Sequence, residues 1–231
     1  MLYLGLLSIL LAAGLYFFVK NPEKSENLDK GSFFDLLKIR QLWFILPLVF
    51  IHYAPVAGIR GLWIGPYIND NFYSASNLAF ATTAMSLAMI AGTFAYGPMD
   101  RIFSTRKWII FIGSSVSLVS LISLALFNEI SFNVAVFLFC TLGFFGMSYP
   151  LMIAHGRSFS PENLTGRCVT LLNMFAIGGV GIFQFLTGRI FSKITEVHNN
   201  NHEAYTIIFL FYASALFLGL ILYLKSKDRL D

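Results

Sequence analysis

Few residues in this chain carry side chains that could do chemistry, and four of the charged ones gather in one short stretch between apolar runs. Tyr96-Gly97-Pro98-Met99-Asp100-Arg101-Ile102-Phe103-Ser104-Thr105-Arg106-Lys107 sets one acid and three bases between two apolar runs. Groups of this kind can pair as ions or dock on a helix end. They include no nucleophile with a base beside it and no ligand spacing for a metal. The Gly97-Pro98 pair reads as a break that opens a charged hinge. Asp100 falls at the C-terminal end of a helix, where its own helix dipole does not favour an acid. Its favourable partners are therefore the N-terminus of another helix or a nearby base.

A second set lies inside an apolar run. The stretch from Leu42 to Pro66 carries His52, Tyr53, Pro55, Gly58, Arg60, Gly61, Trp63 and Gly65. A base at the centre of a membrane helix costs about 2.5–3.5 kcal/mol unless water or a partner meets it. Arg60 lies about 18 residues into its run, roughly 27 Å from the start. Two readings stay open for it: snorkelling to the outer interface, or facing a water-filled cavity where it would attract an anion. At helical spacing His52, Val56, Ile59 and Trp63 share a face, with Arg60 and Tyr67 along its border. That mixed polar and aromatic stripe is of the kind a solute path would use. His52 either carries a proton or packs as a hydrogen-bonded core histidine. Gln184, in a later run, either lines a cavity or bonds between helices.

The elements that would position these groups are helices in a bilayer. Of 231 residues, 57% are hydrophobic and 12% charged, against roughly 25% charged for a soluble domain. Crossing about 30 Å of hydrocarbon takes about 20 apolar residues. Runs of that kind cover Met1–Val19, Leu42–Pro66, Leu78–Tyr96, Trp108–Phe127, Phe132–Ala154, Cys168–Ile190 and Tyr205–Leu224. The expected organisation is a transmembrane helix at 1–19, a polar linker at 20–41, a six-helix bundle at 42–224 and a tail at 225–231. Within the linker, Phe33 to Ile39 has the pattern of an interfacial amphipathic helix. Ala84, Ala88 and Gly92 give a smooth stripe for close helix contact, and Gly178, Gly179, Gly181 and Gly188 do the same later.

Of the 16 Lys and Arg residues, all but Arg60, Arg189 and Lys193 fall on one side when the helices alternate from an outside N-terminus. The excess of bases on cytoplasmic loops then sets the N-terminus outside and the C-terminus inside, in a cytoplasmic membrane. Topology accounts for the net charge of +4, so no nucleic-acid partner is implied. Cys140 and Cys168 read as small apolar filler. No enzymatic activity and no cofactor are expected. Seven helices also suit a retinal protein or a seven-helix receptor, but Lys225 and Lys227 lie beyond the last run and no extracellular cysteine pair supports a receptor.

The charged stretch resembles the loop signature of the major facilitator superfamily, in which Asp-Arg precedes a further pair of bases. Asp100-Arg101 and Arg106-Lys107 match; Gly97 lies one place closer to the acid, and Phe103-Ser104-Thr105 replaces the later glycine. Arg60 to Tyr67, His155-Gly156-Arg157, and Gly166-Arg167 with Leu171-Leu172-Asn173 look like a bacterial branch of that superfamily. The resemblance covers nearly the whole chain as family helices 6 to 12, the last helix of one half and the six-helix C-terminal half. It implies an all-α transmembrane fold and secondary transport of a small solute by alternating access, with the coupling ion, a proton included, left open. It further implies a latch of Gly97, Asp100, Arg101, Arg106 and Lys107, with Glu162 pairing to Arg101 or Arg106 or else solvated. The substrate-path candidates are then His52, Arg60, Trp63, Tyr67 and Gln184. The partners are the lipid bilayer, a small-molecule substrate and a missing N-terminal half, and the chain is expected to be a fragment of a longer transporter or a truncated product. A non-transporting remnant or membrane partner is the other reading.

Overall fold

The computed structural model describes residues 2–18, 32–127, 131–198 and 201–230. Among them the regular structure is helical throughout. The chain divides into two compact units, 1–30 and 31–231. The first holds α1 (Leu2–Phe18), an apolar helix of 17 residues. At 1.5 Å per residue it rises about 25 Å. Positions 20–31 of the expected linker lie outside the described residues.

The second unit opens with α2 (Phe33–Leu36), which is closed by a capping box between Ser32 and Asp35. Asp35 also pairs with Lys38 at 2.7 Å. The Lys38 ammonium, ahead of the Ser32 N–H, holds the Asp35 carboxyl below its ordinary value. The amphipathic helix expected over Phe33 to Ile39 is thus reduced to one turn. Its Leu36 is fully buried, and Trp43 fastens the segment by donating its indole N–H to Leu37 O at 2.7 Å.

Among the described residues six stretches are long and apolar enough to cross a membrane. The first is α3 (Arg40–Gly58), a π turn (Ile59–Trp63) and α4 (Ile64–Phe72) in one run. Then come α5 (Ala75–Phe103) and α6 (Lys107–Leu126), followed by α7 (Phe132–Gly146) with α8 (Tyr149–Arg157). A short 3-10 turn (Glu162–Leu164) leads into α9 (Thr165–His198), and α10 (Asn201–Tyr223) closes the unit. Large apolar side chains such as Phe94, Phe137, Phe185 and Leu218 point outward. Water would penalise that surface and lipid accepts it, so the chain is an integral membrane protein.

The first span is the axis of the unit. It is 67% buried over its most apolar window, against 17% for α5 and 28% for α9. It packs on α9, α10, α8 and α7, while α5 lies on α7 and α6 lies between α7 and α10. Close approach comes from glycines. A Cβ placed on Gly179 would stand 1.8 Å from Phe50 O, so α9 touches the backbone of α3 there. Gly92 likewise lies against Phe144 O, which carries out the close contact expected of the Ala84–Gly92 stripe. Gly178, Gly181 and Gly188 instead have nothing within 4 Å of a Cβ position and face open space. Cys140 and Cys168 are both free thiols.

The break expected at Gly97-Pro98 is absent, because α5 runs through Pro98 to Phe103. Gly97 and Pro98 both lie on the exposed side, where the lost backbone bond is re-satisfied at lower cost. The chain turns nearly two helical turns later, at Ser104, whose φ of 51° is left-handed. Ser160, a natural cap by type, does not cap the 3-10 turn; it donates to Arg157 O at 2.9 Å and closes the end of α8.

Candidate functional site

The π turn decides which face of the first span points outward. Ile64 N–H donates to Ile59 O, five residues back, so the turn is wider than an α turn. Pro55, Gly58 and Gly61 weaken the ladder around it. The loosening takes the form of a π turn. Ile59 and Trp63 stay buried, while Arg60, Gly61 and Leu62 between them are exposed.

The side chains expected on one stripe therefore separate. His52, Trp63 and Tyr67 are 2%, 6% and 3% exposed and face the core of the unit. His52 ties three elements together. Its Nδ1 lies 3.0 Å from Ser114 Oγ, and its Nε2 is 2.9 Å from Ser148 Oγ and 3.2 Å from Gly146 O. Trp63 donates to Thr187 Oγ1 at 3.1 Å and lies against Phe191. Tyr67 is packed among the rings of Phe139, Tyr205 and Phe209.

Arg60 and Gln184 remain on the open side. Arg60 is exposed, and its Nε donates to Ser86 Oγ on α5 at 3.0 Å. Gln184 is half-buried on α9, its Nε2 3.8 Å from a Cβ position on Gly61. Three half-buried residues extend the same wall. Tyr53, two turns before Arg60, stacks on Tyr149 with ring centroids 5.1 Å apart. The Tyr149 hydroxyl donates to Asn173 Oδ1, and Asn173 lies three helical turns before Gln184 on α9. Arg60, Gly61, Tyr53, Tyr149, Asn173 and Gln184 thus form a polar and aromatic wall on α3, the π turn, α8 and α9. Along α9 it runs about 16 Å. The sequence pointed to Arg60 and Gln184. Tyr53 and Asn173 were legible as polar residues in apolar runs, but nothing local joined them to Tyr149.

A second polar cluster sits where α6 begins and α10 ends. Asp100 pairs with Arg106, Oδ2 to Nε at 2.9 Å, with both side chains largely buried. The nearby base is thus its partner, and a different acid serves the helix N-terminus. Asp228, in the tail, accepts the N–H groups of Arg106 and Lys107 at 3.1 and 3.0 Å and the hydroxyl of Thr105. Lys107 Nζ reaches back to Leu224 O and Ser226 O, each at 2.7 Å. His155 joins in: its Nε2 donates to Lys227 O at 2.9 Å, which leaves Nδ1 to accept the Tyr223 hydroxyl at 2.7 Å. Arg101 and Glu162 are exposed, and among the described residues neither makes an ion pair. The tail expected at 225–231 is therefore, as far as Leu230, a fixed strap across the loop.

Among the described residues no group of His, Cys, Asp or Glu is arranged to hold a metal. No protein-family model and no curated protein matches the sequence. The fold is similar to that of a solved structure, the inward-open conformation of the xylose transporter XylE from E. coli. The TM-score is 0.63 at 17% identity, covering 85% of this chain and 48% of that one. The chain thus spans about half the length of that structure, and what it shares with it is the fold.

Proposed function

We propose that this chain forms one half of a secondary transporter. In this reading the wall of Tyr53, Arg60, Tyr149, Asn173 and Gln184 lines one side of the path of a small polar solute. The observation that carries it is the wall itself: polar and aromatic groups held half-open on helices whose fold resembles a transporter half. The low burial of α5 and α9 supports a covering partner on that side, the missing N-terminal half in cis or in trans. Binding at the interface of two such halves is the arrangement that lets them rock about a fixed site. Gly97, Asp100, Arg101, Arg106 and Lys107 form the cytoplasmic latch in this scheme, with Glu162 its remaining acidic candidate. The membrane is the cytoplasmic one, with the N-terminus outside and the C-terminus inside, as the distribution of bases favours.

Uptake into proteoliposomes tests the proposal. The chain alone should give no saturable uptake of any sugar or organic anion in a panel, and co-assembly with a complementary half should restore it. Saturable flux by the chain alone would overturn the half-transporter reading. Stable co-assembly with no flux for any solute would favour the non-transporting partner instead.

A further inference from the structure

The start of α3 and the segment after α10 surround one cavity of about 500 Å³, lined by Arg40, Gln41, Phe44, Lys225 and Lys227. Three of these five residues are cationic and none is acidic. Among the described residues the acids nearest in the chain are engaged elsewhere. Asp35 holds Lys38, and Asp228 has its oxygens on Thr105, Arg106 and Lys107. The site is also held in shape, because Lys227 N–H donates to Gln41 Oε1 at 3.0 Å and joins the tail to the first turn of α3. Arg40 is steadied over the Phe44 ring at 5.9 Å. The first turn of α3 has no side-chain cap, so its free N–H groups add partial positive charge beside the cations.

The position selects the ligand. Arg40 opens one membrane span, and Lys225 and Lys227 follow the end of another. The cavity therefore lies at the depth where lipid headgroups sit, and the first turn of the same helix carries the exposed Trp43, a side chain suited to that interface. Guanidinium and ammonium groups around one volume suit a phosphate, through the Arg fork and the Lys point charge. We propose that this cavity binds the phosphate of an anionic phospholipid headgroup. The assignment rests on the chain sitting in a bilayer and is independent of whether it transports.

Nanodiscs and native mass spectrometry of the full chain test it. Wild type should retain phosphatidylglycerol in preference to phosphatidylcholine. Arg40→Gln/Lys225→Gln should weaken that retention about tenfold or more. Arg101→Gln/Arg167→Gln, which removes the same charge elsewhere, should retain it. Arg40→Lys/Lys225→Arg, which keeps the charge and guards against loss by misfolding, should retain it as well. Equal retention of the two lipids, or equal phosphatidylglycerol binding by wild type and Arg40→Gln/Lys225→Gln, would overturn the proposal. So would saturation by inorganic phosphate in phosphatidylcholine discs with no preference for phosphatidylglycerol, which would assign the site to a free anion.

Discussion

Asp228 and Lys107 cap each other's helices. The Asp228 carboxylate accepts the Lys107 N–H at 3.0 Å on the first turn of α6, and Lys107 Nζ donates to Leu224 O at 2.7 Å where α10 ends. Each charge lies at the dipole end that favours it. Asp228→Ala should therefore lower the melting temperature of the detergent-solubilised chain, by an amount equivalent to about 1 kcal/mol. Lys107→Ala should act similarly. The double substitution should cost less than the two together, since each contact holds the strap in place for the other. Strictly additive losses would show that the contacts are independent.

The same carboxylate sets a pH dependence. Desolvation works against its charge, but the Thr105 hydroxyl and the Lys107 and Arg106 N–H groups outweigh it and hold the carboxyl below its ordinary value. A value lower in the folded state means stability fully present above the unfolded carboxylate range and lost as pH falls through the folded value. The gap in melting temperature between wild type and Asp228→Asn should be open at neutral pH. It should close as pH drops well below about 3.9, the ordinary Asp value. A gap that stays constant into strong acid would mean that the charge is not what caps α6.

These contacts mark the limit of what the sequence carried. The six long spans follow from the length of apolar runs, because hydrocarbon thickness sets that length whatever the tertiary contacts are. Arg60 stood out because a base among apolar residues is costly. Asp228 did not, since a tail residue of ordinary type becomes a cap only once α10 ends beside α6. The stripe drawn through His52, Trp63 and Tyr67 assumed regular helical spacing and an outward face. A face with aromatic bodies and polar tips suits a buried core equally well, and periodicity alone does not say which side the bundle lies on.

His52 joins α3 to α6 and to the α7–α8 junction through Ser114, Ser148 and Gly146 O. His52→Ala would leave two buried hydroxyls and a carbonyl without it and open a cavity. A loss of about 2–4 kcal/mol is expected, measured as a drop in melting temperature. Ser114→Ala should cost less, because it removes one bond and little volume. Equal stability of His52→Ala and wild type would rule out the bridging role.

Gly179 and Gly178 are neighbours with opposite surroundings. Gly179→Ala drives a methyl into Phe50 O and should part α3 from α9, so that the chain no longer runs as a monodisperse species on size exclusion. Gly178→Ala meets open space and should leave the isolated chain unchanged, or stabilise it slightly through helix propensity, by up to about 1 kcal/mol. Gly178→Leu should be equally silent in the isolated chain but reduce assembly with a complementary half, if that half packs on this side of α9. Unimpaired assembly of Gly178→Leu would move the partner surface elsewhere.

Arg60 separates binding by charge from simple anchoring. It is the one base in the wall, held to Ser86 at 3.0 Å and open on its other side. If it attracts an anionic solute, Arg60→Ala in the full assembly should raise KM for anions about tenfold or more, with uptake of neutral solutes little changed. Arg60→Lys should keep the charge, lose the Arg fork and fall between. Ser86→Ala frees the guanidinium without removing it and should cost about threefold or less. If Arg60 only snorkels to the interface, Arg60→Ala should lower membrane stability and change uptake of anions and neutral solutes alike. Unchanged anion uptake in both Arg60 variants would remove the residue from the path and leave Tyr53, Tyr149, Asn173 and Gln184, a neutral wall suited to an uncharged solute.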